Sequence, residues 1–82
     1  MKSIYKEIIA NPTPHEFVVR GTPRTLGYDP QGVLCCWFES GHEDTTCCIQ
    51  WTGQDIPDDW KIIDTCTVGP LVLHLCAEMT GG

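Results

Sequence analysis

Apolar and polar positions alternate in short runs along this chain, and most runs end at glycine or proline. Residues 71–78 (LVLHLCAE) show the pattern best: Leu71, Leu73 and Leu75 share one face of a strand, and Val72, His74 and Cys76 share the other. Both faces are apolar enough to place this strand at the centre of a sheet or at a subunit contact. The run before it, 61–68, is rich in β-branched residues and stops at Gly69-Pro70. Near the start, 4–9 (IYKEII) predicts a first strand, although Ile4, Ile8 and Ile9 do not alternate cleanly. Asn11-Pro12-Thr13-Pro14 ends it, because proline fixes φ and removes a donor. Residues 16–20 (EFVVR) predict a second strand, Gly21-Thr22-Pro23 a turn, and 25–28 a short third strand. Asp29-Pro30-Gln31-Gly32 suits a β-turn. Residues 56–60 read as a tight turn, and Thr80-Gly81-Gly82 as a frayed tail.

The middle of the chain is the most distinctive part. Two apolar runs, 33–39 and 45–52, flank the polar Ser40-Gly41-His42-Glu43-Asp44, and each run carries a Cys-Cys doublet. This predicts a β-hairpin over 33–52. A register with Cys36 opposite Cys47 would place Cys35 opposite Cys48, one pair on each face. No stretch keeps a helical period over a dozen residues. The expectation is one all-β domain over 1–82, a small antiparallel sandwich or barrel of five to six strands with that central hairpin. So short a chain has a modest core. Trp37, Trp51 and Trp60 are expected to carry much of that core or of an interface, with Trp37 in the core, and self-association would relieve the shortage.

Eleven acids against five bases give a net charge of −6. Such a surface repels nucleic acid and anionic membrane, so direct contact with either is not expected. A basic protein surface matches it, including one that otherwise grips nucleic acid; a solvated acidic exterior is the plainer reading. The opening MKSIYKEII lacks the organisation of a secretory signal, and no apolar run approaches the ~20 residues of a spanning helix. The expected setting is cytoplasmic, where the six cysteines stay reduced.

Candidate chemistry is sparse. Four cysteines split between two faces of a hairpin cannot share one metal. A zinc-stabilised structural module would need Cys35 or Cys36 with His74 and Cys76, and buried thiols are the plainer reading. In an apolar strand His74 reads as a hydrogen-bonded core histidine, and His42 beside Glu43 and Asp44 as part of a solvated turn. No spacing singles out a nucleophile, so no catalytic residue and no cofactor are expected. Interface anchors favour tryptophan, and Trp60, just after Asp58 and Asp59, is the best candidate for one. With Asp55 and Asp64 these residues make a candidate protein-contact face. The rival arrangement is Arg20 and Arg24 for the phosphates of a nucleotide, with Trp51 stacking on its base; two solubilising arginines are the plainer reading.

Several segments fall in a familiar order: Ile4-Tyr5-Lys6, Gly32-Val33-Leu34-Cys35-Cys36-Trp37, Thr52-Gly53-Gln54-Asp55-Ile56-Pro57, Ile63-Asp64-Thr65-Cys66-Thr67-Val68 and Leu71-Val72-Leu73-His74-Leu75-Cys76-Ala77-Glu78. In this order the chain resembles a family of small, mostly uncharacterised β-proteins of phages and prophages. Their pattern is an I-Y-K opening, a G-x-L-C-L-W strand, a T-G-x-x-I-P turn, an I-x-T-V strand and an L-V-x-H-x-x-x-E close. The chain departs from it at Cys36, where the family has leucine, at Cys47-Cys48, where it has an aromatic and a base, and at Trp51, where it has a small residue. No catalytic residue carries over. The resemblance implies a phage-encoded, non-enzymatic binding protein that counteracts a host antiviral defence by occluding an effector complex, in the manner of an anti-CRISPR inhibitor. The alternative it implies is an oligomeric sponge for a cyclic or ADP-ribose-type nucleotide signal.

Overall fold

The structure, a computed structural model, describes residues 2–79; the tail expected at Thr80-Gly81-Gly82 lies outside the described residues. Five antiparallel strands carry the chain: β1 (Ile4–Ile8), β2 (His15–Tyr28), β3 (Leu34–Trp51), β4 (Trp60–Val68) and β5 (Leu71–Glu78). The all-β expectation holds. Among the described residues no helix is long and apolar enough to cross a membrane.

The central hairpin at 33–52 does not form. The chain does not reverse at 40–44, because β2 runs beside β3 along nearly its whole length and pairs with it on both sides of that segment. Ser40 pairs with Gly21 and Asp44 with Arg20, so residues 41–43 bulge out of a continuous strand. The true hairpin is β2–β3, closed by Asp29-Pro30-Gln31-Gly32, where the Gly32 N–H donates to the Asp29 carbonyl (3.0 Å). Likewise, 16–20 and 25–28 are two parts of one strand.

The alternation explains this continuity. His15, Phe17, Val19, Gly21 and Pro23 point inward without interruption, and only then does the extra residue at Arg24 shift the phase to Leu26. In β3 the three bulged residues do the same. Leu34 and Cys36 point inward before the bulge, and Cys47 and Ile49 after it. An odd number of extra residues exchanges the two faces of a strand.

At the bulge the two-stranded ribbon turns a corner. A Cβ on Gly21 (φ 143°) would lie 1.9 Å from the Glu39 carbonyl oxygen and 2.9 Å from the Gly41 nitrogen, so only glycine fits. The Thr45 hydroxyl donates to the Gly21 carbonyl and holds the bend. The corner folds one half of the ribbon over the other as a sandwich. The first layer is β1, the 34–40 part of β3 and the 21–28 part of β2. The second is the 15–20 part of β2, the 44–51 part of β3, then β5 and β4. Ile9, Leu26, Leu34 and Cys36 of the first layer meet Val19, Cys47, Ile49, Leu73 and Leu75 of the second in one core. Each large aliphatic side chain so buried is worth roughly 1.5–3 kcal/mol.

None of the tryptophans lies in this core, contrary to the expectation for Trp37. Trp37 and Trp60 are half-buried, and Trp51 is exposed at the end of β3. The facing positions between the layers hold leucine, isoleucine, valine and cysteine, and Trp37, opposite Lys6 and Thr25, lies on the outer side of its sheet. Leu73 and Leu75 are buried inward and Cys76 is buried on the other face, as a central strand requires.

Candidate interaction surface

The segment joining β3 to β4 is built by turn chemistry. Beyond Trp51 the chain folds back at Thr52-Gly53, with the Gln54 N–H on the Trp51 carbonyl (3.2 Å) and Gly53 at φ 89°. After Ile56 the Pro57 carbonyl accepts the Trp60 N–H (3.0 Å), the tight turn expected there. The Met79 N–H bonds the Asp59 carbonyl (2.9 Å) and ties the segment to the end of β5. Asp55, Ile56, Pro57 and Trp60 thereby line a cleft of about 190 Å³ with Pro14, His15, Glu16 and Cys48. That is less than the ~300 Å³ at which small-molecule pockets begin. The carboxylates of Asp55, Asp58 and Asp59 stand in solvent beside half-buried Trp60.

Of the five residues expected on a contact face, these four share the segment and Asp64 does not. Asp64 points from β4 to the edge of β2, where Oδ2 accepts the Leu26 N–H (2.9 Å) and the Thr25 hydroxyl, while Oδ1 accepts the Thr65 N–H (2.9 Å). The Thr25 hydroxyl, then the Leu26 N–H, hold its carboxyl below the ordinary range. Asp64 is a latch between the two layers.

Ion pairing leaves the acidic segment uncompensated. Lys6 meets buried Asp29 (2.7 Å), Arg20 meets Asp44 (3.6 Å), and Arg24 and Lys2 both meet Glu39 (3.2 and 3.5 Å). No ion pair among the described residues reaches Asp55, Asp58 or Asp59. The Asp29 carboxylate also accepts the N–H groups of Gln31 and Val33 (both 2.9 Å); the Lys6 bond, then these, hold it low, and Lys6 is raised in turn.

The nucleotide arrangement is not assembled within one chain. Arg20 lies opposite Asp44, seven positions along β3 from Trp51, which is about 23 Å at ~3.3 Å per residue. Arg24 lies beyond the corner, in the other layer, and both guanidiniums are held by carboxylates. The Trp51 indole donates to the Pro12 carbonyl (3.2 Å).

The thiols are all free. The predicted pairing of Cys36 with Cys47 and Cys35 with Cys48 fails with the hairpin. Cys36 lies opposite Leu26 and Glu7, and Cys47 opposite Phe17 and Ala77. The register instead sets Cys48 directly opposite Cys76. Burial pushes Cys36 and Cys48 up to about 12 and Cys47 to about 11, the opposite of what an activated thiolate needs. The ring nitrogens of His74 lie on the hydroxyls of Thr52 (2.7 Å) and Thr65 (2.9 Å), so it is hydrogen-bonded as expected, but it is half-buried on the outer side of β5 and not in the core. The set weighed for zinc is not gathered, since Cys36 faces the core and Cys35 lies on the outer side of the first layer, while His74 and Cys76 lie on the outer side of the second. No three His, Cys, Asp or Glu side chains among the described residues are grouped to hold a metal.

Sequence reasoning missed the outer side of β1. Of Ile4, Ile8 and Ile9 only Ile9 reaches the core; Ile4, Tyr5 and Ile8 are exposed on a strand paired along one edge only. The uneven spacing of Ile4, Ile8 and Ile9 was the available signal, since Ile4 and Ile8 share a face and Ile9 takes the other.

No family model, no curated protein and no solved structure matches the chain.

Proposed function

We propose that this chain is a phage-encoded, non-enzymatic inhibitor that counteracts a host antiviral defence by occluding a basic, nucleic-acid-gripping surface of an effector complex. The observation that carries the reading is the 52–60 segment, with three solvent-facing carboxylates, no cation among the described residues paired to them, and a half-buried tryptophan beside them. A basic groove supplies the missing counter-charge, and electrostatic complementarity of this kind speeds encounter and fixes register. Trp60 supplies the apolar anchor that a contact of charges alone lacks. The phage origin rests on the order of sequence segments that resembles the phage family, and the site of action is then the host cytoplasm. Arg20 and Trp51 stand far apart within one chain, so the nucleotide sponge would need a subunit contact to bring them together.

The test is a panel of bacterial strains, each carrying one defined defence system and producing the protein before phage challenge. The reading predicts that plaque formation is restored against at least one system that uses a nucleic-acid-binding effector, and that the purified protein co-elutes with that effector. Restoration by a protein that instead depletes a nucleotide signal, with no effector bound, would make it a sponge.

A further inference from the structure

The free edge of β1 has a defined hydrogen-bonding phase. Just outside the strand, the Ser3 carbonyl accepts the Ser40 N–H (2.8 Å), and the Ile9 N–H donates to the Leu34 carbonyl (2.9 Å). Those bonds turn the backbone of odd-numbered residues toward β3. The N–H and C=O groups of Ile4, Lys6 and Ile8 therefore point away from the sheet. In an antiparallel pair, opposed hydrogen-bonded residues exchange both bonds. A second β1 presents the same three outward residues, so Ile4 meets Ile8, Lys6 meets Lys6, and Ile8 meets Ile4. Of the registers this phase allows, this one overlaps all three.

The side chains fit the same symmetry. Ile4 and Ile8, 62% and 58% exposed, lie on one face of β1 and become cross-strand partners at both ends of the paired ribbon. On the other face Tyr5, 56% exposed, comes opposite Glu7, its hydroxyl a donor for the carboxylate. Edge strands are usually guarded by lysine, proline or a bulge. The strand itself has neither proline nor bulge, and its one lysine is drawn aside to Asp29 at 2.7 Å, which also relieves the meeting of the two Lys6 side chains.

We infer that two copies of the chain associate through β1, antiparallel about a two-fold axis at Lys6, with Ile4 of each copy opposite Ile8 of the other. The two first layers join into one continuous sheet. The 52–60 segments stay outside the contact, because β1 flanks the 34–40 part of β3 and the segment leaves β3 at its other end. The inference does not rest on the proposed function. A five-residue ribbon covers less than a standard interface, so the dimer dissociates on dilution. With −6 on each copy, it tightens as salt screens their repulsion.

The test is sedimentation velocity of the protein in reductant across a concentration series, for wild type, Ile4→Lys, Ile8→Glu and the double variant Ile4→Lys/Ile8→Glu. The expected result is a monomer–dimer equilibrium weakened about tenfold or more by each single change and restored by the double change, which places lysine opposite glutamate at both ends. Both positions are solvent-facing, so thermal melting of the variants checks that each still folds. A wild type that stays monomeric into the millimolar range overturns the inference. So does a dimer that the single changes leave intact, or one that the double change fails to restore.

Discussion

Gly21 and Gly41 meet backbone to backbone at the corner of the β2–β3 ribbon; a Cβ on Gly41 would sit 3.2 Å from the Gly21 Cα, and one on Gly21 would drive into the Glu39 carbonyl. The corner turns a long hairpin into a two-layer core. Gly21→Ala should therefore destabilise the fold by more than about 2 kcal/mol, through collision and backbone strain together. Gly27→Ala, where the added methyl meets open space, should change stability little. Urea unfolding of the two variants checks the contrast, and equal midpoints would mean that the corner is not built as described.

The Asp64 carboxylate joins the edges of the two layers. Asp64→Ala removes the acceptor of the Leu26 N–H and the Thr25 hydroxyl. Hydrogen bonds to a charged group are worth about 1.5–3 kcal/mol, so the loss should fall in that range. Hydrogen exchange should localise it, with the Leu26 amide losing protection while the Ile49 amide in the middle of β3 keeps its own.

Acid should act through the carboxylates held low, Asp29 and Asp64 among them. Asp29 and Asp64 are both held below their ordinary value of 3.8, chiefly by hydrogen bonds from Lys6 and from Thr25. A carboxyl depressed in the folded state adds stability in full above its unfolded value, and that stability is lost as pH falls through the folded one. Melting temperature should therefore fall steeply below pH 3.8. Asp29→Asn should be less stable than wild type at neutral pH and show a shallower decline in acid.

Alkali should act through the thiols. Cys36, Cys47 and Cys48 ionise near 9.0 when unfolded and at about 12, 11 and 12 when folded. Their contribution is complete below 9 and is lost as pH rises from there toward the folded values. At neutral pH a soluble maleimide should label the native protein slowly, and unfolding in denaturant should release all six thiols. Rapid labelling of Cys36 or Cys47 in the native state would contradict their burial.

The alternation in β5 and in the odd positions from His15 to Pro23 was open to reading, and it accounts for the all-β architecture. The corner was not. Ser40-Gly41-His42-Glu43-Asp44 has turn composition whether the chain reverses there or bulges, and only the pairing of Arg20 with Asp44 and Gly21 with Ser40 decides between them. That pairing is a long-range fact absent from local composition. The same limit hid the role of Asp64, whose partners lie 38 and 39 positions away. Asp55, Asp58, Asp59 and Trp60 were legible because they are neighbours in sequence as well as in space.

The most direct measurement is the plating efficiency of a defence-sensitive phage on cells producing either the wild-type protein or Asp55→Lys/Asp58→Lys/Asp59→Lys. Equal melting temperatures would establish that both proteins fold. If the acidic segment occupies a basic groove, the wild type restores plaques and the reversed variant loses that restoration by at least about a hundredfold, roughly 3 kcal/mol of lost contact. Restoration that survives the reversal undiminished would contradict the account.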